Sequence, residues 1–113
     1  MADDRWIATA EFVLGGPDHP RTPVHVRLAA PQPRGEGEWT CALSLDGAFN
    51  DLPAISGTDS LQALGLAWRL AGTLLASLQT GGRRLEYENG EAIPLSAYFG
   101  DPLAPPVPPD QAI

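Results

Sequence analysis

The hydrophobic pattern of this chain changes period near position 59, and that change limits the fold more than any other feature. Upstream, apolar side chains recur every second residue; downstream, they recur every third or fourth. The first period sends alternate side chains to opposite faces of a strand, and the second lines one face of a helix. A layer of strands followed by one long rod is therefore expected.

In the upstream half, RWIATAEFVL at 5–14 places Trp6, Ala8, Ala10, Phe12 and Leu14 on one side, with Arg5, Thr9 and Glu11 on the other. PVHVRLA at 23–29 directs Val24, Val26 and Leu28 one way, His25 and Arg27 the other. Beyond a turn-forming cluster at 31–38, Trp39, Cys41, Leu43 and Leu45 alternate with Thr40, Ala42, Ser44 and Asp46. These are three strands, and the loops between them are too short for the crossover that parallel pairing requires, so antiparallel neighbours follow.

From Asp59 the residues Leu61, Leu64, Trp68, Ala71, Leu75 and Leu78 form one helical stripe about five turns long. Asp59 suits the N-cap, and Gln62 three positions on can complete a capping box. Gly81-Gly82 ends the rod where a positive φ is wanted. RRLEYE then reads as a fourth strand, Asn89-Gly90 as a turn and AIPLSAYF as a short fifth strand. The expected fold is α+β: an antiparallel sheet of four to five strands with one long helix packed on one face, in the order β-β-β-α-β-β. Residues 1–100 make a single domain, and the proline-rich tail at 101–113 is expected to be extended or disordered. The expected core is Trp6, Phe12, Val24, Val26, Leu28, Trp39, Cys41, Leu43, Leu61, Leu64, Trp68 and Leu75.

Charge narrows the partners. Fourteen acidic against seven basic side chains give a net charge of -7, which repels nucleic acid and anionic lipid and attracts a basic protein. The start lacks the basic region and unbroken apolar core of a secretory signal, and the apolar run from Leu61 to Leu78 is broken by Arg69 and by Gly and Thr. A cytoplasmic protein without a membrane span is expected. Cys41 is the lone cysteine, which fits a reducing compartment.

Chemical motifs are sparse. Asp59-Ser60-Leu61 resembles the serine site of phosphopantetheine carrier proteins, but strand-like segments flank it where a carrier has helices, and the capping role explains the same residues. His25 with Glu11, Asp46 or Cys41 has no recognisable metal-ligand spacing. Cys41 falls in the apolar register between Trp39 and Leu43, as a small buried hydrophobe would. With no lysine in the chain there is no P-loop. No catalytic constellation and no cofactor site are read from the sequence, so binding is a better expectation than catalysis.

On the helix, Leu66, Leu70 and Leu74 add a second apolar stripe, making the arc wider than one sheet face covers. Gly65, Arg69 and Gly72 could face a second copy in a homodimer. Alternatively the tail, with Tyr98 and Phe99, covers the extra surface.

The succession PVHVRLAAPQP, GEWTCALSLDG, GTDSLQALGLAWRLAGTLL and GGRRLEY resembles a small bacterial family known only as a domain of unknown function. Its signature is a Trp-x-Cys strand and a Gly-x-Asp-Ser-Leu-Gln-Ala-Leu helix start, and the likeness runs over nearly residues 5 to 99. It implies a fold and no catalytic residues.

The favoured function is a small acidic protein-binding module, of the immunity type or an accessory partner of a basic protein, with Glu11, His25, Arg27, Asp46, Asp51, Glu86 and Glu88 as contact groups. The alternative is a small-molecule-binding or enzymatic domain with a pocket between sheet and helix, and Trp39, Trp68, His25 and Arg27 near its mouth.

Overall fold

Residues 5–100 are described by a computed structural model; the expectation for the tail at 101–113 lies outside the described residues. The architecture is α+β and antiparallel, with one long helix. Strands β1 (Trp6–Gly15) and β2 (Thr22–Ala29) form the central pair, with Phe12 opposite Val24 and Ala10 opposite Val26. The expected third strand is real but broken. At Ala42 it divides into β4 (Glu38–Cys41) and β5 (Leu43–Asp46), and the halves serve different sheets.

β5 pairs with β2, while β4 pairs with β3 (Gln32–Gly35) and β6 (Ile55–Gly57). With β7 (Arg84–Glu86) on the far side of β1, the result is a four-stranded sheet β5-β2-β1-β7 and a three-stranded sheet β3-β4-β6. The break lets one chain segment turn the corner between the two layers. Cys41 sits there, fully buried, its thiol donating to the Ala29 carbonyl at 3.3 Å. Burial pushes that thiol's pKa up.

Two of the short strands differ from the sequence expectation. β3 lies within the cluster read as a turn; its Pro33 is tolerated because the strand is at a sheet edge, where no partner needs the missing N–H. β6 is too short to show a period. The expected fifth strand is replaced: Ala92 makes an isolated bridge to Glu86, Ile93 N–H donates to Leu85, and a short helix α2 (Ser96–Phe99) follows Pro94. Proline has no donor with which to extend the ladder.

The long helix α1 (Ser60–Thr80) starts as its cap residues dictate. Asp59 Oδ1 accepts the Gln62 N–H at 2.7 Å, and Gln62 Oε1 reaches back to the Thr58 N–H at 2.7 Å, one residue before the cap. At the other end, Arg83 N–H bonds the Leu78 carbonyl and Gly82 N–H bonds that of Gln79, with Gly82 at φ +91. This is a Schellman closure. By length and composition α1 could also cross a membrane, with mean hydropathy 1.3.

The helix meets the sheets along Ala63, Ala67, Ala71 and Leu75, all fully buried. Leucines 64, 70, 74 and 78 and Trp68 flank this line and pack against the same core. The expected stripe was centred on the large residues, and Leu61 corrects it: placed in the core by its spacing, it is 76% exposed. A turn geometry of about 100° per residue puts Leu61 nearly opposite Ala63. Small residues occupy the inner line because β6 lies so close. A Cβ added to Gly57 would stand 2.5 Å from the Ala63 nitrogen.

Trp6 is the second correction to the expected core. Between Trp6 and Ala8 the β1–β2 register shifts, so that Trp6 faces Ala29 while Ala8 faces Leu28. The inserted residue of this bulge moves Trp6 off the face that carries Phe12. Trp6 is half-buried and lies outside the core cluster. Phe12, Val24, Val26, Leu28, Cys41, Leu43 and Leu75 are buried as expected, with Trp39, Leu64 and Trp68 packed against them.

α2 is tied down by aromatic residues. Phe99 stacks on Trp68 with ring centroids 4.3 Å apart, Tyr98 meets Phe12 edge-on at 5.2 Å, and the Trp68 indole N–H donates to the Tyr98 carbonyl. The Tyr87 and Tyr98 hydroxyls are 3.1 Å apart.

Two outcomes are expected. Gly57→Ala forces β6 and α1 apart and should lower unfolding free energy by about 1–3 kcal/mol, as overpacking does. Gly65→Ala, whose added Cβ meets open space, should instead raise it by about 0.5–1 kcal/mol; chemical denaturation of both variants measures the contrast. The second concerns alkali. The hydrogen bond to Tyr98, then burial, then nearby negative charge raise the Tyr87 pKa above its ordinary 10.0. The fold favours the neutral phenol, so the associated stability is complete below the ordinary value and is lost as pH rises through the folded one. Ultraviolet difference titration should show Tyr87 ionising late, and Tyr98→Phe should bring it back towards the ordinary range.

Candidate functional site

The helix and the second sheet cover one face of β5-β2-β1-β7, leaving the other open. On an antiparallel sheet, directly opposed residues share a face. The pairs His25–Asp46 and Glu11–His25 therefore form one row across three strands, Asp46, His25, Glu11, and the neighbouring row is Ser44, Arg27, Thr9. His25 Nδ1 lies 3.3 Å from Glu11 Oε1. The Glu11 side chain is 80% exposed, and Asp46 is exposed at the sheet edge. Among the described residues Arg27 forms no ion pair.

Beside Arg27 a polar cleft of about 520 Å³ opens, walled by Trp6, Ser44, Asp46 and the loop after β5 with Asn50 and Asp51. That loop is held tightly. Gly47 has φ +102, and a Cβ there would fall 2.1 Å from the Pro23 carbonyl oxygen. Ala48 and Phe49 N–H groups both bond the Leu45 carbonyl, and Asp51 takes a left-handed φ of +59. Arg5 lines the cleft as well, its guanidinium 5.2 Å from the Trp6 ring centroid.

Of the residues expected from the sequence, Glu11, His25, Arg27 and Asp46 come together on the open face, and Asp51 joins them across the cleft. Glu86 occupies the same face at the opposite edge but is only 8% exposed, clamped by Arg21 at 3.4 Å and Arg84 at 3.2 Å. Arg21 also donates to the Tyr87 and Glu88 carbonyls, which fastens the turn carrying the exposed Glu88. Trp6 and Arg5 were missed as wall residues, because a bulge leaves no mark in an alternating pattern.

The expected pocket between sheet and helix is not where a cavity lies. That space is filled by the core cluster, and His25 and Arg27 point away from it, on the sheet face opposite the helix. Trp68 instead lines a groove of about 800 Å³ along the outer side of α1, with Gly65, Arg69 and Gly72. Gly72 is covered there by the Phe99 ring, 2.9 Å from where a Cβ would stand, whereas Gly65 is open.

Ser60 is the exposed first residue of α1, and the elements around it are strands and loops rather than the helices of a carrier. Among the described residues, no group of three His, Cys, Asp or Glu side chains is gathered closely enough to hold a metal ion.

No curated protein and no solved structure matches the chain. One family model does, over residues 9–96, a span that takes in α1, strands β2 to β7 and β1 from Thr9 onward. The chain belongs to the family of that model, the domain of unknown function DUF6968.

Proposed function

We propose that the protein is a binding module for a basic protein, an immunity-type or accessory partner, and that the open face of its four-stranded sheet is the contact surface. The observation that supports this is the row Asp46, His25, Glu11 with Arg27 beside it, presented across three strands with no element of the described fold over it. A chain with net charge -7 draws a cationic partner by long-range attraction. Exposed carboxylates then act chiefly on the rate of association and on register, while Arg27 and His25 reject an indiscriminately cationic surface. Glu86, buried and paired with Arg21 and Arg84, holds β7 rather than supplying contacts itself.

A second reading, small-molecule binding, rests on the cleft beside Arg27. Its mixture of Arg27, Asp46, Asp51 and an indole suits a small polar molecule carrying charges of both signs. A ligand bound there must raise the unfolding midpoint, since it prefers the native state.

Charge reversal at the face decides between these readings. With proteins captured on the immobilised chain, Glu11→Arg together with Asp46→Arg should slow association about tenfold or more, and added salt should reduce the wild-type rate in the same sense. Both side chains are exposed, so unchanged circular dichroism is expected. Association that ignores both salt and the double variant would remove the open face as the contact surface.

A further inference from the structure

We propose that the cleft beside Arg27 binds a free α-amino acid with an apolar side chain, an inference that rests on the small-molecule reading and names its ligand. The cleft is walled by opposite charges that do not meet. Arg27 on β2 lies opposite Ser44, and Asp46 stands two residues further along β5, so the two are diagonal neighbours on the open face. Diagonal positions on a sheet are about 7–8 Å apart, within reach of a long side chain. Yet among the described residues neither Arg27 nor Asp46, nor Asp51 across the cleft, makes an ion pair or a side-chain hydrogen bond. An ammonium and a carboxylate borne on one carbon satisfy both sides together.

Ligands of a single charge fit less well. A cation drawn to the carboxylates meets the Arg27 guanidinium, and an anion drawn to Arg27 meets Asp46 and Asp51. Arg27 offers a planar fork that takes a carboxylate through two parallel bonds, while the two carboxylates accept from an ammonium. The side chain has its own wall, made of Trp6, Phe49 and Leu52. Phe49 and Leu52 are half-buried and packed on the core, and the Phe49 N–H is held by the Leu45 carbonyl at 2.9 Å, so this wall is fixed before a ligand arrives. The Trp6 ring, with the Arg5 guanidinium 5.2 Å from its centroid, already serves a cation of the protein, which leaves its remaining surface for apolar contact. The volume of about 520 Å³ lies within the range of about 300–1,000 Å³ usual for small-ligand sites.

Titrating L-leucine and L-phenylalanine into the full isotope-enriched chain tests this. Amide signals of Ser44, Asp46, Asn50 and Asp51 should move saturably. The N-acetyl and the carboxamide forms of the same amino acids, each lacking one charge, should bind at least about tenfold more weakly. Arg27→Gln should weaken leucine at least about tenfold while the carboxamide, which has no carboxylate to lose, binds no more weakly than before. Asp46→Asn with Asp51→Asn should do the converse, weakening leucine and sparing the N-acetyl form; retained binding of the blocked form shows in each case that the variant is folded. Equal affinity for free and blocked forms overturns the proposal. Saturable shifts at the cleft with inorganic phosphate or guanidinium, but with neither amino acid, overturn it and leave the small-molecule reading standing. No movement at the cleft with any of these probes overturns both.

Discussion

The backbone of β6 and the inner line of α1 touch almost directly, and the rest of the molecule is arranged around that contact. Gly57 leaves no room for a side chain against Ala63, and the alanines that follow at every fourth position keep the helix axis close to the sheets. Close approach has a geometric consequence. Beneath the first three turns of the helix only alanines fit, Leu75 being the first large side chain on the inner line, so the other leucines and Trp68 pack down the flanks. An apolar arc wider than one face is what such a seat requires, and it accounts for Leu70 and Leu74 without a second helix.

The bend at Ala42 is the complementary device. One continuous strand would have placed Trp39 to Leu45 in a single sheet; dividing it lets the chain contribute to two layers that enclose the helix from adjacent sides. Cys41 marks the corner, where its thiol hydrogen bond satisfies a polar group that would otherwise be buried alone. Because α1 and the second sheet take one face of the larger sheet, its other face carries the polar alternation of β1, β2 and β5 outward.

Folding thus produces two different surfaces. The open face is polar, with charges of both signs in register across three strands; the outer side of α1 is apolar, with its hydroxyls turned inward on the helix. They are separated by the core, and their chemistry suits different occupants. The bulge at the start of β1 adds to the first surface by delivering Trp6 to it, a large aromatic that the core does not use.

Local chemistry was legible from the chain alone. The alternation of β1 and β2, the Asp59 cap with Gln62, the Gly81-Gly82 stop and the gathering of Glu11, His25, Arg27 and Asp46 on one face all follow from periodicity and short-range hydrogen bonding, which depend on neighbours in sequence. What tertiary structure decided is where closeness between distant segments matters. The break at Ala42, the strand at Ile55–Gly57, the exposure of Leu61 and the outward turn of Trp6 each depend on a partner many residues away. A two-residue or four-residue period fixes which side chains share a face. It does not fix which face is pressed against another layer, because that is set by how near the two backbones can come.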